Sequence, residues 1–357
     1  AQSLVTPRVL ELARWMADYY CCAPETALKS VLPESVRKEQ EGWRERLFVR
    51  LLPVNGDAPN LTKRQAEVYN VIEKNRSLAM QELLRLTGTT AQTVRRLEDK
   101  GLVEVAPQIS ERDPYANTQI IPTQPLVLNP EQAKSLKLVK ESMDGEKKTF
   151  LLNGVTGSGK TEIYLQAIAY ALEQGQGAIV LVPEISLTPQ TVERFKARFS
   201  SGPLQTLVAV LHSHLSTGER HDEWHKIRQG RAKIVIGARS AIFAPVEPLG
   251  LIIVDEEHEH SYKQEEAPRY HARDVAVVRG QREGATVVLG SATPSLESYH
   301  NAKRGKYTLL EMPSRVDDKQ MPLVRVLDMR TEKSKGDKGP PIFSQRLKDA
   351  IHHRLEQ

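Results

Sequence analysis

The stretch "LLNGVTGSGKTEIYL", which begins at Leu151, constrains the fold of this chain more than any other. An apolar run leads into GVTGSGKT, residues 154–161, and a helix-forming segment, "TEIYLQAIAYALEQG", follows it. That order of strand, glycine-rich turn and helix is the setting a G-x-x-x-x-G-K-[ST] phosphate loop requires. Glycine lets backbone N–H groups turn inward without Cβ clashes, and the helix N-terminus adds positive potential. On this reading Gly154, Val155, Thr156, Gly157, Ser158, Gly159, Lys160 and Thr161 cradle a nucleoside triphosphate, ATP above others. Lys160 reaches the β- and γ-phosphates, and the Thr161 hydroxyl holds Mg2+. A chance glycine-rich turn is the competing account, and the agreement of pattern, strand and helix weighs against it.

The same region carries "TFLLN", "AIVLV", "LVAVL", "KIVI", "LIIVD" and "TVVLG", spaced by helical or polar segments. These runs are rich in Val and Ile and lack polar alternation, as strands buried on both faces do. The expectation is an α/β fold with a mostly parallel, doubly wound sheet. "PLVRVLDMR" reads as a further strand and "TEKSKGDKGPP" as a flexible connector. Ahead of this zone, "LTKRQAEVYNVIEKN" with Thr62 as N-cap, "AMQELLRLTG" and "TTAQTVRRLEDKG" read as three helices. The alternating "LVEVAPQI" follows them, which is the order of a winged helix. Its third helix would present Thr89, Thr90, Gln92, Thr93, Arg95 and Arg96 to phosphates or base edges; packing or protein contact is the alternative. Residues 1–60 read as helix-prone at first ("TPRVLELARWMADYY", Pro7 at the helix start) and then as a Pro/Asn/Gly loop. The expected domains are 1–122, an N-terminal helical segment plus winged helix; 123–310, the nucleotide-binding lobe; and 311–357, a connector.

Hydrolysis needs acidic groups, and "LIIVDEEHEH" sets Asp255 and Glu256 at the carboxyl end of an apolar strand, where ligands of open α/β sheets gather. Asp255 would bind Mg2+, Glu256 would orient and deprotonate the attacking water, and His258 would link this strand to a neighbour. The formal charge of +5 permits a polyanionic partner without demonstrating one. The only cysteines, Cys21 and Cys22, are adjacent, which excludes a disulfide framework and fits a reducing, cytoplasmic setting. There is no signal-peptide pattern and no apolar run long enough to span a bilayer, so no membrane partner is expected. His212, His214, His221 and His225 invite a zinc reading, but neither cysteine nor carboxylate spacing supports it.

GVTGSGKT, "LVPEISLTPQ", "IGARSAIFAP", "DEEH" and "GSATPS" occur in the order found in superfamily 2 helicases. "GVTGSGKTEIY", "VDEEHEHSYKQEEAPRYHARDVA" and "GSATPSLES" are similar to one family among them, the primosomal replication-restart helicases. The resemblance is firmest over residues 126–298. It implies a RecA-like first helicase lobe, ATP with Mg2+, and 3′ to 5′ unwinding of DNA at abandoned replication forks. Position by position, it carries Lys160 and Thr161 to the Walker A pair and Asp255, Glu256 and His258 to the DExH box. Gln132 in "LNPEQ" becomes the glutamine near adenine, and Ser291, Ala292 and Thr293 the segment coupling ATP to DNA. Pro183, Glu184, Thr188, Arg239 and Ser240 fall in strand-tracking segments.

The run "SYKQEEAPRYHAR" interleaves Tyr262, Tyr270 and His271 with Lys263, Arg269 and Arg273. Aromatic rings stack on any base and cations follow phosphates, so these six are expected DNA contacts. A packed loop, with Glu265 and Glu266 opposing the cations, is the plainer account. The resemblance also implies partners: single-stranded and forked DNA, the single-stranded-DNA-binding protein SSB, PriB, DnaT and the replicative helicase DnaB. It implies a monomer in the bacterial cytoplasm, associated with the nucleoid. It further implies Zn2+ held by cysteines that this chain does not contain, a second lobe with an arginine, and an N-terminal domain that captures a nascent 3′ end. The sequence is read as a fragment, since it opens on Ala1 and "AIHHRLEQ" stops in mid-helix; the second lobe and the N-terminal domain are taken as missing, and the piece as unwinding little by itself. A fork-binding scaffold switched by ATP, and a DExH translocase subunit of a restriction enzyme, are the competing functions.

Overall fold

The computed structural model describes residues 5–32, 34–37, 45–52, 61–75, 77–109, 120–199, 201–202, 204–316, 324–330 and 342–356. Three short helices open the chain: α1 (Pro7–Tyr19), α2 (Pro24–Val31) and α3 (Glu34–Arg37). Thr6 caps α1, accepting from Val9 N at 3.2 Å, with Pro7 at the first helical position, where a missing N–H costs nothing. Val9, Leu12, Met16, Val31 and Val36 are buried in one cluster with Trp224, Ile227, Phe243 and Tyr270 of the nucleotide-binding lobe. The opening helices therefore pack on that lobe, although the sequence between them and it folds into a separate unit.

That unit comprises β1 (Glu45–Leu51), α4 (Lys63–Asn75), β2 (Ser77–Ala79), α5 (Met80–Thr87), α6 (Ala91–Asp99) and β3 (Val103–Ile109). Thr62 and Gln65 form a reciprocal cap at the start of α4: Thr62 Oγ1 accepts from Gln65 N at 3.3 Å, and Thr62 N donates to Gln65 Oε1 at 3.1 Å. α5 ends at Gly88 in the left-handed region, as expected from the sequence. Val49, Val68, Ile72, Leu83, Val94 and Leu97 make a small closed core. The three helices and their following strand match the expected order. The sheet adds one correction: its order is β2–β1–β3, antiparallel, with Val49 opposite Leu78 and Val105. Its middle strand thus precedes the helices, in a segment where the sequence reading placed no strand. Thr90, Gln92, Arg95 and Arg96 are exposed on and before α6, and Arg95 pairs with Glu98 at 2.9 Å.

The lobe follows, with α7 (Pro130–Asp144), β4 (Thr149–Gly154), α8 (Lys160–Glu173), β5 (Gly177–Leu181), α9 (Pro189–Phe199), β6 (Leu207–Leu211), α10 (Thr217–Arg228), β7 (Ala232–Gly237), β8 (Leu249–Val254), α11 (Ala272–Glu283), β9 (Thr286–Ser291), α12 (Leu296–Lys303) and β10 (Thr308–Met312). The seven strands run parallel in the order β10–β4–β9–β8–β5–β7–β6. All six expected strands are present; β10 is an addition. β4, β5, β8 and β9 are buried on both faces except at Asn153, which explains their unbroken apolar composition. The chain crosses the sheet from β4 to β5, turns at the edge strand β6 and returns through β7, β8 and β9 to β10, which sets the carboxyl ends of β4, β9 and β8 side by side, where ligands of such sheets gather.

Residues 317–357 form a second compact unit. Its described part holds α13 (Gln345–Leu355), capped by Ser344 Oγ accepting from Leu347 N at 3.1 Å. The expected strand in "PLVRVLDMR" is not formed over 324–330, and "TEKSKGDKGPP" lies outside the described residues.

Candidate nucleotide site and its coupling loop

The phosphate loop closes between β4 and α8. Gly157 and Gly159 take φ of 83° and 81°, a region that other residues enter only with strain. A Cβ at Gly154 would come within 2.6 Å of Ser158 Oγ, and one at Gly159 within 2.3 Å of Gln132 Nε2. At Gly159 a side chain would meet both an unfavourable φ and the Gln132 amide, and at Gly154 it would displace the Ser158 hydroxyl. Lys160 Nζ donates to Gly154 O at 2.8 Å and lies 3.9 Å from Glu256 Oε1. Among the described residues the buried Ser158 Oγ has no hydrogen-bond partner, which is what a cradle that receives an anionic oxygen would leave. Around it opens a cavity of about 630 Å³, lined by residues 156–161, Gln132, Leu126, Val127, Arg194, Arg198, Asp255 and Glu256. That volume suits a nucleotide, and the Thr161 hydroxyl and Asp255 carboxylate are the oxygen donors that suit Mg2+.

Gln132 enters this site differently from expectation. Its amide is shared between two loops: Oε1 accepts from Asn129 N at 2.9 Å, closing a capping box on α7, and Nε2 donates to Ser158 O at 2.9 Å. It braces the phosphate loop as well as lining the cavity. A second brace is the segment after β10. Val155 N donates to Met312 O at 3.1 Å, and Val316 N to Gly157 O at 3.0 Å. Ser314 Oγ donates to Glu131 at 2.8 Å. On the far side Arg198 of α9 forks onto Glu162 of α8 at 3.0 and 2.8 Å, both side chains nearly buried.

Asp255 ends β8, its N–H donating to Leu181 O at 2.9 Å. Its Oδ1 accepts from Tyr164 Oη at 3.0 Å. Tyr164 stands four residues after Lys160 on α8, one turn further along the same face. Gly290 makes room for it, since a Cβ there would lie 1.7 Å from the hydroxyl. Burial, and then the charge of Glu256, push the Asp255 carboxyl above its usual range; the Tyr164 hydroxyl and Lys160 act the other way. Folding therefore favours the protonated form. This group opposes stability at neutral pH, and the opposition disappears as pH falls through its raised value. Tyr164→Phe removes a restraining donor, so the Asp255 carboxyl should titrate at higher pH in the protein free of metal and nucleotide, as followed by NMR. A titration that superimposes on the wild type would refute this role.

Glu256 adopts φ 45°. His258 Nδ1 lies 2.8 Å from Ser291 Oγ and 3.6 Å from Glu256 Oε2, and Ser291 Oγ accepts from Thr293 N at 2.9 Å. DEEH and the Ser291–Ala292–Thr293 segment are thus in direct contact. The loop beyond corrects part of the sequence reading. Tyr262 and Tyr270 are 1% and 3% exposed, so their rings are core and not a platform for bases. Tyr262 Oη donates to Asp255 O at 2.6 Å, and burial pushes the Tyr270 phenol up to about 12. Arg273 is also buried, bound to Glu257 and Asp274 at 3.1 Å, and cannot reach a strand. Lys263, Arg269 and Ser240 are exposed, with His271 and Arg239 half-buried. Arg239 Nη1 donates to Lys263 O at 2.7 Å, so it shapes the loop from beneath. The apolar half of the aromatic–cation pattern faces inward because the loop must cover β8. Beside it lies a cleft of about 320 Å³, bordered by Pro183, Glu184, His212, Arg220, Arg239 and Ser240 and by the accessible edges of Tyr262 and Tyr270.

A parallel sheet with a Walker-type loop, an acidic pair on the adjoining strand end and a serine of the next strand joined to it defines a P-loop NTPase lobe of the helicase class. A family model for DEAD/DEAH box helicases matches residues 129–302, and one for the PriA 3′DNA-binding domain matches residues 1–33. The replication restart protein PriA of Bacillus subtilis is 49% identical over 296 residues, covering 82% of this chain and 36% of that protein. PriA of Chlamydia trachomatis is 38% identical across 98% of this chain and 46% of its own length. The solved structure of RecG bound to a three-way DNA junction aligns with 58% of this chain and 26% of that one, at 25% identity and a TM-score of 0.41. The chain belongs to the PriA family of replication restart proteins. It spans less than half the length of these curated relatives. The match over residues 1–33 corrects the reading that no part of the 3′ domain is here; its described portion is α1, α2 and the turn between them.

Proposed function

We propose that this chain supplies the nucleotide-binding first lobe of an ATP-dependent DNA helicase that restarts replication at abandoned forks, moving 3′ to 5′. The observation that carries the proposal is the join between hydrolytic and coupling segments, His258 to Ser291 at 2.8 Å, beside a phosphate loop whose lysine lies 3.9 Å from Glu256. Backbone N–H groups of residues 156–161 bind the triphosphate, and Lys160 balances the charge that develops on the terminal phosphoryl. Thr161 and Asp255 would hold Mg2+, which would neutralise phosphate charge. Glu256 orients the attacking water and takes its proton. His258 passes the state of this turn to Ser291 and Thr293. A second lobe of the complete protein adds an arginine across the nucleotide, so that hydrolysis changes the spacing of two grips on one strand.

The exposed Lys263 and Arg269, with Arg239, Ser240 and His271, contact single-stranded or forked DNA by following its phosphates. Lys263→Ala and Arg269→Ala should weaken binding evenly across sequences. Each should also lower the slope of log affinity against log salt by about 0.7. Fluorescence anisotropy at several salt concentrations checks this; an unchanged slope would remove these residues from the interface. SSB, PriB, DnaT and DnaB are the partners in such a restart reaction, in the bacterial cytoplasm, with a monomeric helicase.

The decisive experiment is ATP hydrolysis by the complete protein with no DNA, single-stranded DNA and forked DNA. Stimulation by DNA supports a motor. Hydrolysis indifferent to DNA would instead favour a fork-binding scaffold that uses ATP as a switch.

A further inference from the structure

The second glutamate of DEEH is assigned no step in the proposed hydrolysis, yet its carboxylate is fully buried and accepts four hydrogen bonds. Glu257 is 0% exposed. Its Oε1 accepts from Ser295 N at 2.7 Å, and its Oε2 from Ser298 Oγ at 2.8 Å, Ser295 Oγ at 3.0 Å and Arg273 Nη1 at 3.1 Å. Its own N–H donates to Gly290 O at 3.0 Å. A buried carboxylate without such donors would be strongly unfavourable, so these contacts fix both the side chain and the backbone that carries it.

The adjacent residue is the one proposed to activate water. Glu256 sits at φ 45°, in a region that a glutamate does not occupy by preference. A conformation of that kind persists only where its surroundings over-determine it. On one side the Asp255 N–H is tied to β5 through Leu181 O. On the other, Glu257 ties the chain to β9 through Gly290 and to the start of α12 through Ser295 and Ser298. Arg273, in the first turn of α11, closes on the same carboxylate.

We propose that Glu257 is a positioning residue for ATP hydrolysis: its buried carboxylate, held by Ser295, Ser298 and Arg273, keeps Glu256 turned toward the phosphate loop. It touches neither nucleotide nor metal. Its loss should therefore lower kcat and leave KM for ATP almost unchanged. The inference rests on the helicase-lobe reading, and hydrolysis by the wild-type complete protein tests that reading separately.

The experiment is steady-state ATP hydrolysis with single-stranded DNA by the complete protein and its Glu257→Gln variant, with a thermal melt of each. The expected result is a fall in kcat of about tenfold or more with KM within about threefold, since a catalytic group displaced by an ångström loses up to 10²-fold. A double variant, Glu257→Gln with Arg273→Met, removes both buried charges and should regain melting temperature without regaining kcat. Recovery of kcat together with melting temperature would make the pair merely structural and overturn the proposal. So would a kcat equal to wild type in Glu257→Gln. If that variant does not fold, Ser298→Ala deletes one donor and should lower kcat about threefold at constant KM, on the scale of a neutral hydrogen bond; no fall would overturn the idea. An inactive wild-type protein would instead refute the helicase reading.

Discussion

Lys160→Ala should cut ATP hydrolysis by about 10³-fold or more, while the melting temperature stays within about 3 °C of wild type. On the proposed function the ammonium is needed where charge develops on the transferred phosphoryl, and little else depends on it. Its Nζ donates to Gly154 O and lies at ion-pair distance from Glu256. The glycines, Gln132 and the segment after Met312 shape the loop without it. Hydrolysis assays, nucleotide titration and thermal melts on the same preparations check the claim. Retained hydrolysis would move the phosphate-binding charge to another residue; a collapsed melt would mean the lysine is structural.

Removing residues 5–37 should abolish folding of the nucleotide-binding lobe. Val9, Leu12, Met16, Val31 and Val36 are each 4% exposed or less. At about 1.5–3 kcal/mol per large buried side chain, their burial is worth roughly 8–15 kcal/mol, comparable to the whole stability of an ordinary domain. Deletion would also lay bare Trp224, Phe243 and Tyr270 in the shared cluster. The measurable outcome is an aggregated product without a cooperative melt. A soluble, cooperatively melting lobe would show that these helices merely cover a core that closes without them.

This packing was the least legible part of the sequence. Periodicity in "TPRVLELARWMADYY" reveals an amphipathic helix but not which surface covers its stripe, because the partner side chains lie some 200 residues away. β1 was missed for a related reason: "ERLFVRL" mixes Arg with Leu and Phe, and only its middle position in a three-stranded sheet explains the pattern. The phosphate loop and DEEH were legible because their chemistry dictates residue types at fixed spacing over a few positions. The loop "SYKQEEAPRYHAR" was half legible. Its cations stand at the surface as composition suggests, but Tyr262 and Tyr270 turn inward, since an aromatic ring reads alike whether it stacks on a base or on a core. Tyr164 and Glu257 stood inside the quoted motifs, yet only the fold shows what each holds. Arg273 was read as a phosphate contact, and its partner, Glu257, stands 16 residues earlier in the chain.

The segment after β10 has a consequence for how this lobe can change over time. Met312 O and Val316 N are both fastened to the backbone of the phosphate loop, and Ser314 between them is fastened to α7. Three residues, 313–315, span two anchors whose separation is set by the cradle itself. A surface loop elsewhere tolerates an insertion at small entropic cost, because its ends are free to drift. Here one extra residue would slip an anchor or lift the loop off its register. Lineages carrying this lobe should therefore keep the number of residues between these anchors fixed, even where side chains differ.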